Sequence, residues 1–220
     1  MLTKALVSIL FGYLFGSIPT SVWIGRAFYG IDIRQHGSGN AGGTNMFRVL
    51  GWKPGLVVFV LDVNKGLVPV WLIGHWLAAY PYDFRLVLQL FAGFAAVLGH
   101  VWPILARFRG GKGIATLIGM LIVTSPQSVI VGVIVFLIVI YFTRYVSLSS
   151  MMAVLSFPCT LLVSRVWFHR IIPDSLLTSS AFAFSLVFFT HRSNIKRLLN
   201  GLESKLGRLA PPAPVARNDI

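Results

Sequence analysis

Ile114-Ala-Thr-Leu-Ile-Gly-Met-Leu-Ile-Val-Thr-Ser-Pro-Gln-Ser-Val-Ile-Val-Gly-Val-Ile-Val-Phe-Leu-Ile-Val-Ile-Tyr-Phe142 is apolar from end to end except for Thr124-Ser-Pro-Gln-Ser128. One uninterrupted helix over this stretch would be roughly 43 Å long, against a hydrocarbon core of ~30 Å. Two helices turning at Pro126 fit a bilayer better. Counted that way, the chain holds seven spans, an odd number, and its two ends lie on opposite sides of the membrane.

The remaining spans follow outward from this one. They cover about Leu2–Ile24, Pro54–Ala79 (interrupted by Asp62, Asn64 and Lys65), a stretch ending near Pro103, Leu148–Val163 and Leu176–Thr190. Hydrophobic residues make up 56% of the chain and charged ones 11%, where a soluble domain carries roughly a quarter charged. The mean hydropathy is +0.79. The sequence therefore predicts an all-α polytopic membrane protein with a single domain over residues 1–210. A disordered tail is expected over 211–220, around Pro211-Pro-Ala-Pro214. Only Lys4 precedes the first apolar stretch and no small-residue cleavage pattern follows it, so that stretch reads as a retained span. Cys159 is the sole cysteine, which excludes a disulfide or a cysteine metal site within the chain.

Lys and Arg number 19 against 6 Asp and Glu, a net charge of +13. With seven spans the cations sort by side. Arg26, Arg34, Arg48, Lys53, Arg107, Arg109, Lys112, Arg144 and the basic residues from Arg192 onward share one face, leaving Lys4, Arg85, Arg165 and Arg170 on the other. The positive-inside rule puts the first group in the cytoplasm and the N-terminus in the periplasm. Part of the excess is that ordinary topological bias; the rest points to anionic headgroups or phosphorylated substrates rather than nucleic acid.

Three segments meet on this cytoplasmic face. Gly37-Ser-Gly-Asn-Ala-Gly-Gly-Thr-Asn45, followed by Arg48, has the composition of a phosphate cradle. Glycines let backbone N–H groups turn to a common point, Ser38, Asn40, Thr44 and Asn45 add neutral polar groups, and Arg48 adds a planar charged fork. Gly110-Gly-Lys-Gly113 precedes an apolar helix and forms a second anion site from backbone donors, a helix N-terminus and the Lys112 ammonium. It is not a P-loop: Gly113 stands where Ser or Thr is required and Ala106 where the first glycine is. A basic loop touching lipid phosphates is the competing reading. His191-Arg-Ser-Asn-Ile-Lys-Arg197, running on to Glu203, reads as a basic amphipathic helix with His191 and Asn194 on one face and Ile195, Leu198, Leu199 and Leu202 as an apolar stripe. A surface helix explains the stripe; it does not explain Glu203, which needs a substrate hydroxyl or an arginine as partner.

Asp62 and Lys65, three apart, share a helix face roughly 12 Å from Pro54. Charges at such depth mark either a functional site or an ion pair that locks helices together. His100, in Gly99-His-Val-Trp-Pro103, is placed to act as a base or to orient a loop. The carboxylates are too dispersed for a metal centre, and there is no nucleophile elbow. Chemistry must then rest on positioning and on charge stabilisation of phosphates.

Taken together, Gly37–Arg48, Leu61-Asp-Val-Asn-Lys-Gly66, Gly99–Pro103 with Gly110-Gly-Lys-Gly-Ile-Ala-Thr116, and His191–Arg197 with Gly201 and Glu203 resemble the bacterial membrane glycerol-3-phosphate acyltransferases that use acyl phosphate as donor. The order and spacing agree over most of the chain; Gly43 stands where Ala is frequent and Arg109 where Lys is. The resemblance implies a seven-helix inner-membrane enzyme with a cytoplasmic active site and no cofactor. Such an enzyme moves an acyl group to the sn-1 hydroxyl of glycerol 3-phosphate, giving lysophosphatidic acid and phosphate for phospholipid synthesis. Its partners would be the two substrates, the bilayer and a peripheral enzyme that supplies acyl phosphate. The expected catalytic residues are Ser38, Lys112 and His191. The expected substrate-binding residues are Gly37, Gly39, Asn40, Thr44, Asn45, Arg48, Lys65, His100, Gly110, Gly111, Gly113, Asn194 and Glu203, with Asp62 as support and no metal. The rival class is an organic-phosphate transporter, disfavoured by the one-sided charge and the absence of inverted repeats.

Overall fold

The computed structural model describes residues 1–207, which form ten α-helices: α1 (Leu2–Gly16), α2 (Thr20–Tyr29), α3 (Gly43–Leu50), α4 (Trp52–Trp76), α5 (Tyr82–Val101), α6 (Ile114–Thr124), α7 (Pro126–Thr143), α8 (Val146–Val166), α9 (Asp174–Thr190) and α10 (Arg192–Leu199). The tail expected over 211–220, with Arg208 and Arg217, lies outside the described residues.

Ser125 separates α6 from α7, with Pro126 opening the second helix where its missing N–H costs nothing. Among the described residues, five segments are long and apolar enough to cross a membrane: Leu2–Tyr29, Trp52–Trp76, Tyr82–Ala106, Pro126–Thr143 and Val146–Val166. Ile114–Thr124 and Asp174–Thr190 are apolar but shorter. The reason for the shortness of α6 is visible in its packing. The segment before it folds back against the end of α5, with the Gly111 N–H donating to the His100 carbonyl at 3.0 Å, so the helix starts well inside the bundle.

One expectation is corrected. The first apolar stretch is not one helix to Ile24. It breaks at Ser17–Pro19, because proline lacks the N–H to continue the ladder, and resumes as α2 until Gly30 turns left-handed at φ +66. The polar stretch that follows holds a further helix. Gly43–Leu50 is helical, and Met46 is fully buried against Val22, Ile33 and Val58.

Small residues bring the helices together, as expected where lipid is as apolar as leucine. The α1 glycines Gly12 and Gly16 face the α5 backbone at Ala92 and Ala96, fixing the two helices parallel. Gly66 of α4 faces the Thr116 carbonyl of α6, and Gly119 of α6 faces the Val63 carbonyl of α4, so these two helices cross backbone against backbone. The largest core cluster runs from Val70 and Leu90 through Leu117 and Met120 to Phe157 and Val187, spanning α4, α5, α6, α8 and α9. In contrast, α7 buries only Ser128 and presents most of its apolar surface outward, as a lipid-facing helix does.

Candidate active site

One end of the bundle is tied together by polar contacts between segments far apart in sequence. The Arg34 guanidinium donates to the Ala106 carbonyl at 2.9 Å, the Ala41 N–H to the Gly110 carbonyl at 3.4 Å, and the Leu206 N–H to the Arg144 carbonyl at 2.7 Å. Arg34 is itself held by Asp32, whose carboxyl its guanidinium keeps well below the usual carboxylate range. The three segments singled out in the sequence thus converge at this end.

Around it lies a cavity of about 310 Å³. Its polar end is lined by Ser38, Asn40, Thr44, Asn45, Arg48, Asp62, His100, Lys112, Gly113, His191, Asn194 and Glu203, so most of the expected site residues share one space. Gly37, Gly39, Gly110, Gly111 and Lys65 do not line it.

The glycine-rich segment is built by Asn45. Its side-chain oxygen accepts the Ser38 N–H at 2.9 Å and its amide donates to the carbonyls of Ile33 (3.1 Å) and His36 (3.0 Å). This leaves Asn45 buried and its amide committed to holding the loop, while the Ser38 side chain stays exposed on the cavity. Gly37 takes φ +59, and a Cβ there would meet the Asn45 side chain at 2.4 Å, so only glycine closes this turn. Gly42 and Gly43 open α3, adding the unpaired N–H groups of a helix N-terminus to the cavity wall; α6, starting at Ile114 and Ala115, does the same from the other side. Arg48, half-buried, makes no hydrogen bond or ion pair among the described residues.

Lys112 is aimed across the cavity by Asn194. The Asn194 side-chain oxygen accepts from the lysine ammonium, and its amide donates to Glu203 at 2.6 Å. Glu203 also accepts from Ser147 (2.7 Å) and Arg197 (2.7 Å). Of the two partners considered for this acid, arginine is the one observed. Gly201, at φ +68 just past α10, turns the chain so that Glu203 returns beneath Asn194. Burial pushes the Lys112 ammonium down to about 8; Glu203 opposes this, while Arg197 and Arg48 add to it. Burial works to raise the Glu203 carboxyl, but its three hydrogen bonds hold it below its ordinary value.

His191 is buried at the end of α9 with its Nδ1 2.8 Å from the Val187 carbonyl, which can only accept. Nδ1 therefore carries the proton in the neutral ring and Nε2 keeps its lone pair. Burial, then the Lys112 charge, push this imidazole down to about 4, so it is neutral at physiological pH.

Beneath the cavity, the break after α1 places Thr20 against α4. Asp62 accepts from Thr20 (2.6 Å) and Lys65 (2.6 Å), and Lys65 donates to the Thr20 hydroxyl as well (3.0 Å). The roles expected for the pair come out reversed in position: Asp62 reaches the cavity wall, whereas Lys65 turns toward Thr20. His100 is buried with Nδ1 3.6 Å from Asp62, too long for a hydrogen bond, and Gly111 lies directly over its ring. Only glycine fits there, since a Cβ on Gly111 would stand 2.1 Å from His100 Nε2.

The sequence reading missed Thr20, Ser147 and Arg197, the hub partners, and the apolar end of the same cavity. That end runs between α6, α7 and α8, past Leu117, Val129, Gly132, Ala153 and Phe157. Ser147 and Ser150, in the first turns of a helix of mainly apolar residues, were the one signal for it.

The glycerol-3-phosphate acyltransferase family profile matches residues 6–201. A glycerol-3-phosphate acyltransferase of Chlorobaculum tepidum is 43% identical over 222 residues, covering 91% of this chain and 96% of that one. One of Salinibacter ruber is 40% identical over 214 residues, covering 93% of each. Among solved structures, the glycerol 3-phosphate form of PlsY, an integral membrane glycerol 3-phosphate acyltransferase, superposes with a TM-score of 0.80 at 36% identity, covering 92% of this chain and 96% of that one. Its lysophosphatidic acid form superposes with a TM-score of 0.78 at the same identity, over 92% and 95%.

Proposed function

This chain belongs to the glycerol-3-phosphate acyltransferase family and acylates glycerol 3-phosphate for phospholipid synthesis, and we propose that it draws the acyl group from acyl phosphate. The observation that carries the donor assignment is the two-part cavity: a cationic end rich in helix N-termini opens into an apolar groove. A donor with a phosphate at one end and an alkyl chain at the other matches both parts. Neither a nucleotide-binding unit nor a protein nucleophile is called for, because a mixed anhydride is already activated.

In this reading the sn-1 oxygen attacks the acyl carbonyl carbon, the bond from that carbon to the phosphate oxygen breaks, and inorganic phosphate leaves. Lys112, the α6 N-terminus and the Ser38 segment stabilise the charge that gathers on the leaving phosphate. Arg48 and the α3 N-terminus hold the phosphate of the acceptor. The proton of the attacking hydroxyl passes to the departing phosphate; His191 Nε2, the lone pair left free by the Val187 contact, is the alternative acceptor. Glu203 and Asn194 act through Lys112, by fixing where its ammonium points. Asp62 and His100 support the floor on which the Gly110–Gly113 segment rests.

For the topology we hold to seven passes, with α1 and α2 as one bent pass and the short α6 as another. The end that gathers Arg34, Arg48, Lys112 and Arg197 is then cytoplasmic and the membrane is the bacterial inner membrane. A peripheral enzyme delivering acyl phosphate would meet this face.

Purified protein given labelled glycerol 3-phosphate and palmitoyl phosphate should form lysophosphatidate, and palmitoyl-CoA should not replace the donor. Product formation from palmitoyl-CoA alone would overturn the donor assignment. Mass spectrometry of protein incubated with donor alone should find no acyl group on Ser38; an accumulated adduct there would replace direct attack with a two-step transfer.

A further inference from the structure

The apolar groove reaches the polar break in the longest apolar stretch of the sequence. Thr124-Ser-Pro-Gln-Ser128 forms the turn between α6 and α7. Although it is a polar turn, Thr124, Ser125 and Ser128 are buried within the protein, at 8%, 5% and 2% exposure. The Ser125 and Ser128 hydroxyls satisfy each other at 2.8 Å, and Thr124 bonds back to the Met120 carbonyl at 3.1 Å, so the turn is self-contained in an apolar setting. Ser128 lines the cavity, and beside it stand Leu121 of α6 and Phe157 of α8, both buried.

The groove has a fixed origin as well. Ser147, at the start of α8, donates to Glu203 at the polar end, and Phe157 stands on the same helix at the other. The rise between these two residues is about 15 Å. One rigid helix thus sets the distance from the charged site to the wall.

We propose that Leu121, Ser128 and Phe157 form the end stop of an acyl-chain gauge, which makes the length of α6, through the position of its terminal turn, a determinant of the chain length this enzyme prefers. The inference rests on the acyl-phosphate reading above. A chain shorter than the gauge leaves apolar wall unfilled, and a longer one has to bend or displace the stop. Each methylene that is no longer buried weakens the selective use of a chain roughly fourfold. Gly132 of α7 supplies an intermediate position. It lines the groove, and a Cβ there would meet only the Ala153 carbonyl at 3.4 Å and the Ser156 hydroxyl at 3.8 Å, so a side chain is accommodated on the helix and extends into the groove.

The test is kcat/KM of the full-length protein for a saturated acyl-phosphate series from decanoyl to stearoyl, for wild type, Gly132→Leu and Leu121→Ala. Wild type should show a maximum within the series. Gly132→Leu should move the maximum to shorter donors and lower the stearoyl-to-decanoyl ratio at least tenfold; Leu121→Ala should move it to longer ones. Because the readout is a ratio within each variant, a general loss of folded protein cancels. A groove that lets the tail pass out between α7 and the lipid would give three parallel profiles, and that result overturns the gauge while leaving the donor assignment intact. Failure of every acyl phosphate to yield lysophosphatidate with wild type would instead remove the reading on which the gauge rests.

Discussion

Lys112→Met should slow acyl transfer about a hundred- to a thousand-fold while the protein still folds, measured as kcat/KM for lysophosphatidate formation by purified enzyme. The expectation follows from what the ammonium does in its surroundings. It lies in a cavity wall where burial has already made the charged form harder to hold, and a charge kept in a weakly screened site acts strongly on the charge that develops on a departing phosphate. Methionine keeps the length and apolar stem, so the change isolates the charge. Activity within a few-fold of wild type would take the lysine out of the reaction.

The same residue sets a pH limit. A lysine pushed down to about 8 is charged in the free enzyme below that pH and loses its proton above it, so kcat/KM should fall as pH rises through about 8. With phosphate groups bound the charged form is favoured again, and kcat should stay level to higher pH. Lys112→Arg, whose guanidinium does not deprotonate in this range, should abolish the alkaline fall whatever its absolute rate. An alkaline fall that persists unchanged in Lys112→Arg would assign the titration to another group.

Much of this site was legible because the chemistry in an apolar chain is carried by few residues. With 11% charged residues, each cluster such as Gly110-Gly-Lys-Gly113 or the Gly37–Asn45 run with Arg48 stands out, and the sidedness of the cations brought those clusters to one end before any contact was known. The break at Pro126 was legible because the proline lies in a polar interruption, Thr124-Ser-Pro-Gln-Ser128, of an apolar run; Pro69 and Pro158, among apolar neighbours, stay inside α4 and α8. What was lost has physical causes. Helix α3 begins with two glycines and is held by tertiary packing, with Met46 buried against Val58 and Phe47 laid over Gly55, so no local propensity announces it. Lys65 was read as reaching a ligand because it shares a face with Asp62; the bend at Pro19, unseen in the sequence, supplies Thr20 and draws the lysine away. The apolar groove was invisible because hydropathy does not separate a residue that faces lipid from one that faces an apolar cavity. Val129 and Gly132 carry the same signal as their outward neighbours on α7.

Gly119→Ala should both destabilise the protein and cost about a hundred-fold in activity, although Gly119 touches no substrate. Helices α4 and α6 cross with no side chain between them: a Cβ on Gly119 would stand 1.9 Å from the Val63 carbonyl oxygen, and a Cβ on Gly66 1.9 Å from that of Thr116. The obstructing atoms belong to backbone, so no rotamer change relieves the clash and the helices have to separate. Overpacking of this kind costs about 1–3 kcal/mol or more, and with rigid helices on both sides the upper part of that range applies. Separation also has a catalytic consequence. Helix α6 carries Lys112 and Gly113 at its start, while α4 carries Asp62 one turn from Gly66, so moving one against the other by about an ångström opens the site, a displacement worth ~10²-fold. The paired measurement is the melting temperature in detergent beside kcat/KM, with Gly74→Ala as the comparison. At Gly74, also on α4, the added methyl meets the flexible Gln89 side chain, its amide nitrogen at 2.2 Å, which can swing aside at the cost of its hydrogen bond to the Val70 carbonyl. Gly74→Ala should keep near wild-type activity with a small loss of stability, while Gly119→Ala falls in both measurements. Equal behaviour of the two variants would mean that the close crossing of α4 and α6 does not hold the Gly110–Gly113 segment in place.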